Sequence, residues 1–209
     1  MPARATSTDP RATRVRAKLK EAAFGLILER RIESISTADV MQRADISRPA
    51  FYQHFRDRDD VVAQAVSDSI RSAVDSDEGV TTDPAVVIHR LFEYFTRYAM
   101  IYRNIYPSGA SQRMADTIRE LLQPAATALA HQLTDRHAQL LTEDDPQAEE
   151  LLETLSTLLT GAVIEVSRRW ADTQADNASP DTAATLRRHF DASLRLLGLE
   201  LSDSPGEQD

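Results

Sequence analysis

The sequence predicts an all-α protein, and three observations carry that prediction. Apolar residues recur at steps of three and four along most of the 209 residues. No stretch keeps the strict alternation of a half-buried strand. Ser, Asp, Pro and Gly fall where helices would start and stop.

From Arg14 to Leu28, Val15, Leu19, Ala22, Ala23, Leu26 and Ile27 form one stripe of an amphipathic helix. Ser36 followed by Asp39 has capping-box spacing and opens a short helix with Ala38, Val40, Met41 and Ala44 on a small buried face. Asp45-Ile46-Ser47 interrupts it. Ser47 is placed to cap a third helix, with Pro49 in its first turn, where a missing N–H costs nothing. Phe51 and Phe55, four apart on one face, are read as core.

Asp57, Asp59 and Asp60 put acids at the start of a fourth helix that runs towards Val74, where they complement its dipole. Residues 76–83, SDEGVTTD, break the pattern and mark a boundary between modules. Asp83-Pro84 restarts a helix expected to reach about Tyr106, ended by Pro107-Ser108-Gly109. A stretch from about Ser111 to Leu141 is expected to end or kink at Pro124. Thr142 to Pro146 is a cap and turn. Two amphipathic segments close the chain: Leu151, Leu155, Leu158, Leu159, Ala162, Val163, Val166 and Trp170, then Leu186, Phe190, Leu194 and Leu197 before Gly198.

The chain holds 24 Lys and Arg against 33 Asp and Glu, a net charge of −9, and no cysteine. The last fact excludes disulfides, thiolate metal sites and cysteine nucleophiles. Charge is divided unevenly. Residues 1–60 carry twelve basic and nine acidic groups, a net of +3, which leaves −12 for the remainder. Such asymmetry fits one half facing an anion, and fits equally a solvated basic tail. The basic start has no apolar run behind it and no segment of 18 apolar residues exists, so no secretory signal and no membrane partner are expected, and the expected location is cytoplasmic.

Residues 36–55, STADVMQRADISRPAFYQHF, have the layout of a helix-turn-helix: two short helices about a three-residue break. Brevity is what the mechanism needs, since one helix braces across the backbone while the other enters a major groove about 12 Å wide. Arg48 can reach base edges or phosphates, Gln53 can pair with a base, and Tyr52 and His54 can donate to phosphates. The competing reading is a helical hairpin with solvated polar residues, and for His54 a structural histidine.

Residues 16–62 resemble the DNA-binding domain of the TetR family of bacterial transcriptional regulators, without a gap. The matching residues are Ala22-Ala23, Asp39, Ala44, Ile46-Ser47, Phe51-Tyr52, His54-Phe55 and Arg58. The resemblance departs at Arg31 and Asp45, where that family usually has Gly; Asp tolerates a positive φ better than Arg does. It implies that Tyr52 and Arg58 hold phosphates, that Arg48 with Pro49 and Ala50 faces bases beside Gln53, and that Ser36 and Thr37 donate to another phosphate. Ser47 and His54 complete the DNA-facing set. Arg4, Arg11, Arg14 and Arg16 either reach flanking DNA or form an arm without contact.

The expected architecture is thus an N-terminal three-helix helix-turn-helix DNA-binding domain, residues 1–60, and a larger C-terminal helical ligand-binding and dimerisation domain, residues 61–209. Residues 83–106 hold six of the 12 aromatics, in two seams, either as plain core or as a pocket whose tyrosines orient a ligand. The resemblance implies a chamber for a small-molecule effector, placed at Tyr94, Tyr98, Tyr102, Met114 and Trp170. It also implies a homodimer, for which the last two helices are candidates, with Gly161 allowing close approach or marking a kink. The implied activity is that of a repressor binding a palindromic double-stranded DNA operator and released by an apolar or aromatic effector.

Two rivals differ in class. An enzyme lacks support: GxGxxG, P-loop, HExxH and GxSxG are missing, and the five histidines share no metal-ligand spacing, so no catalytic residue, cofactor or metal is expected. The alternative to a regulator is a helical protein-interaction adaptor without specific DNA binding.

Overall fold

The computed structural model describes residues 9–75, 83–136 and 148–174, together with 185, 188, 189, 191–193 and 195. Among them there are helices and no strand: α1 (Pro10–Glu29), a 3₁₀ turn (Ile32–Ser34), α2 (Thr37–Ala44), α3 (Arg48–His54), α4 (Arg58–Val74), α5 (Pro84–Arg97), α6 (Ala99–Ile105), α7 (Gly109–Arg136) and α8 (Ala148–Gln174). The all-α expectation holds, with a helix-turn-helix at the N-terminal end and a helical region after it.

Two compact units share these elements. The first comprises the residues up to Ser69 together with Arg103–Met114; the second comprises Ile70–Tyr102 and the residues from Ala115 onwards. Helices α4, α6 and α7 therefore each contribute to both.

In the first unit, α1 starts four residues before the expected Arg14 because Asp9 caps it, accepting from the Arg11 N–H at 2.9 Å, with Pro10 at the first position. Leu19, Ala23, Ile27, Val40, Phe51, Phe55, Val62 and Val66 are wholly buried. Residues 103–114 bury Ile105 and Ala110 wholly and make polar contacts with the rest of this unit. The buried Asn104 Nδ2 donates to the Ile27 carbonyl at 2.8 Å, Arg31 donates to the Tyr106 carbonyl at 3.3 Å, and Arg113 donates to Asp60 at 2.8 Å. The first of these occupies a carbonyl near the C-terminal end of α1, where intrahelical donors run out.

In the second unit, α5 is capped by Asp83, whose carboxylate accepts from the Ala85 N–H at 2.9 Å. Both apolar seams of α5 are buried: Val87, Leu91 and Tyr94 on one side, Ile88, Phe92 and Phe95 on the other. Helix α8 packs on α5 and is tied to α7 where Ser156 Oγ meets Gln123 Nε2 at 3.0 Å and Thr127 Oγ1 at 3.2 Å.

Several expectations are corrected. The helix after Pro84 does not run to Tyr106; it breaks at Tyr98, which has φ −121° and ψ 31°, and α6 follows. No Gly or Pro marks that break. Of the two outcomes expected at Pro124, an end or a kink, the helix does not end: α7 continues through it, with Leu122, Ala125, Ala126 and Leu129 buried around it. Ser47 occupies the cap position of α3, yet its hydroxyl makes no capping bond. Thr142 to Pro146, Leu186, Phe190, Leu194, Leu197 and the boundary residues 76–82 lie outside the described residues, as does Arg4.

Candidate nucleic-acid interface

Helices α2 and α3 are set by local chemistry. The Ser36 hydroxyl accepts from the Asp39 N–H at 3.1 Å while the Asp39 carboxylate accepts from the Ser36 N–H at 2.7 Å, a complete capping box. Asp45 then adopts φ 54° and ψ 50°, the left-handed conformation, and the Ile46 N–H returns to the Met41 carbonyl at 3.0 Å. This is the position where a Gly is usual, and Asp fills it without losing the turn. Arg31 has φ −65° and ψ 145°, extended backbone that any residue adopts, so a side chain there meets no steric penalty.

Phe51 and Phe55, both wholly buried, pull one face of α3 into the core with rings 6.0 Å apart. The opposite face carries Arg48, Pro49, Tyr52 and Gln53, all exposed, with Ala50 and His54 half-buried at its edges. The face is ordered from beneath. The Tyr52 ring stands edge-on to Phe51 at 5.2 Å, and the Arg48 guanidinium lies over the Tyr52 ring, 5.7 Å from its centre. A core aromatic thus orients a surface tyrosine, which in turn supports the arginine at the start of the helix. Burial, with the charge of Arg16 nearby, lowers the His54 pKa and favours a neutral imidazole.

The other DNA-facing candidates are more engaged. Ser36 is exposed and Thr37 half-buried at the N-terminus of α2, but the Ser36 hydroxyl is already part of the capping box. Its two hydrogen bonds hold the Asp39 carboxylate below the usual range, and Arg30 Nη2 stands 3.3 Å from that carboxylate. An anion at this helix end meets Arg30 and free N–H groups but also a negative charge. Arg58 turns inward: Nη1 donates to the Ile35 carbonyl at 3.0 Å and Nε to Asp59 at 2.8 Å. Those bonds fix the guanidinium between α4 and the turn before α2, and its further N–H groups are what it can offer outwards.

Of the residues expected to line a chamber, Tyr94 and Tyr98 come together, with rings 4.9 Å apart, and Phe95 lies 6.2 Å from Tyr94. Tyr94 is buried and Tyr98 and Tyr102 half-buried in the second unit, whereas Met114, also buried, falls in the residues of the first. Trp170 stands in α8, with a side chain outside those described.

Among the described residues no group of three or more His, Asp or Glu side chains is placed to hold a metal ion, and no helix is long and apolar enough to cross a membrane. Lys18 is exposed on the same face of α1 as Arg11 and Arg14, at a spacing of three and four residues. The Arg16 guanidinium donates to Gln64 at 3.3 Å.

Comparison with known proteins agrees with this geometry. Residues 19–65 match the family model described as bacterial regulatory proteins, tetR family, a span that covers α2, α3 and most of α1. No curated protein matches the chain significantly. A helix-turn-helix built on a capping box, a left-handed turn and a core-anchored second helix, matched by that model over the same residues, identifies residues 19–65 as a DNA-binding domain of the tetR family's kind and the protein as a DNA-binding transcriptional regulator.

Proposed function

We propose that the protein is a homodimeric repressor that binds a palindromic operator through residues 1–60 and is released by a small apolar or aromatic effector bound within residues 61–209. The observation that carries this reading is the outward face of α3, with Arg48 and Gln53 exposed above a wholly buried Phe51. Arg48, Pro49, Ala50 and Gln53 read bases; Tyr52, His54, Ser47, Ser36, Thr37 and Arg58 position the phosphates. The protein acts in the cytoplasm, without catalysis.

Dimerisation is supported by α8. Leu158 is 64% exposed, and Leu151 and Val166 are also exposed, on one helical stripe with the half-buried Leu155. The helix continues through Gly161, around which a Cβ would meet open space. A second copy covers this stripe. The effector reading is supported by the ring cluster of Tyr94, Phe95 and Tyr98.

A footprint over the protein's own promoter tests the proposal. Protection of two half-sites about one helical turn or a multiple apart is expected; sequence-indifferent protection would refute it.

A further inference from the structure

The cations of the helix-turn-helix unit are sorted. Lys20 pairs with Asp68, Arg30 with Asp39, Arg31 with Glu33, Arg43 with Glu29, Arg56 with Asp60 and Arg58 with Asp59, while Arg16 donates to Gln64. Among the described residues up to Ser69, the Lys and Arg side chains without such a partner are Arg11, Arg14, Lys18 and Arg48. Arg48 belongs to the recognition helix. The other three are exposed and sit three and four residues apart, on one face of the first turns of α1.

That face has a definite location. Helix α1 packs on α2 and on α3. Its Arg16 and Lys20 turn towards α4, reaching Gln64 and Asp68, so the ridge of Arg11, Arg14 and Lys18 is turned away from α4. Further along α1, Gly25 and Glu29 continue the ridge's side of the helix and meet Arg43 of α2. The ridge therefore lies on the flank of α1 that carries the helix-turn-helix. From Arg11 to Lys18 it extends about 10 Å, at a rise of about 1.5 Å per residue. Phosphates of one DNA strand follow one another at about 3.4 Å along the duplex axis, so three cations span about three of them.

We infer that Arg11, Arg14 and Lys18 form a second, sequence-indifferent contact surface for duplex phosphates, outside the helix-turn-helix and alongside it. The inference rests on the DNA-binding reading and extends its footprint. Uncompensated charge is retained on this face because its counterion is the nucleic acid: each phosphate neutralised releases a condensed cation, and the gain is largest at low salt.

The test uses the full chain and a 40-bp duplex of arbitrary sequence, with log affinity followed against log salt by fluorescence anisotropy. Replacing all three residues with Gln should reduce the slope by about 2.7 for each protomer that contacts the duplex, at about 0.9 per phosphate contact. Lys20→Gln, which removes a cation on the same helix already matched by Asp68, should leave the slope within about half a unit of the parent's, which sets the scale for loss of charge alone. A triple variant with the parental slope and intact helical content would overturn the inference and leave the recognition helix standing. Failure of the parent protein to bind any duplex at low salt would overturn the DNA-binding reading and the inference with it.

Discussion

Arg113 Nη1 lies 2.8 Å from Asp60 Oδ1, so a residue near the start of α7 neutralises a carboxylate buried in the first turn of α4. Burial alone would raise the pKa of Asp60, whose side chain is only 7% exposed. The Arg56 N–H at 2.9 Å, Arg113 and Gln64 together outweigh it and hold the group below its ordinary value of 3.8.

Because the folded-state pKa of Asp60 is depressed, its contribution to stability is complete above the unfolded value and is lost as pH falls through the lower, folded value. Urea unfolding should therefore show the parent losing stability below about pH 4, with Asp60→Asn flattening that loss. Arg113→Ala, which removes a hydrogen bond to a buried charge, should cost about 1–3 kcal/mol at pH 7.

The two turn positions separate cleanly. Asp45 occupies the left-handed region and Arg31 does not. Asp45→Val should cost about 1–2 kcal/mol, as a β-branched residue at positive φ, while Asp45→Gly should be neutral or stabilising. Arg31→Gly should bring no gain. Thermal melts of the three variants check the contrast.

On the recognition helix, stability and binding should come apart. Phe51→Ala removes a wholly buried ring and should destabilise by about 3–5 kcal/mol. Gln53→Ala, at an exposed position, should leave the melting temperature unchanged and alter base preference in a position-by-position scan of the operator. Tyr52→Phe should weaken all sequences by a similar factor.

Leu158→Glu places a charge in the middle of the exposed α8 stripe. Sedimentation should show a shift from dimer to monomer, with DNA affinity falling because two half-sites are no longer engaged together. An unchanged dimer would exclude α8 as the seam.

Where structure follows from contacts a few residues apart, it was legible in advance. The Ser36–Asp39 box and the inward pair Phe51 and Phe55 are of this kind, while the left-handed turn at Asp45 was legible through the family resemblance, which has Gly there. What escaped depends on partners remote in sequence. Asn104 reaches back 77 residues to Ile27, and Arg113 reaches 53 to Asp60. Arg58 illustrates the same limit: its position resembled a phosphate contact, but nothing nearby announced that the Ile35 carbonyl, 23 residues away, would take one of its N–H groups. The break at Tyr98 likewise had no local signal, since no Gly or Pro stands there.

The contribution of 103–114 to the first unit bears on how such a protein can be taken apart. A fragment ending at Asp75 would contain α1 to α4 intact, yet it would leave the Ile27 carbonyl without the Asn104 amide and the buried Asp60 without Arg113. The DNA-reading head is therefore not a cassette that can be cut at a single point and grafted to another body. A chimera that keeps its stability must import two pieces of chain, and recombination that respects only the order of the sequence would divide the head from part of itself.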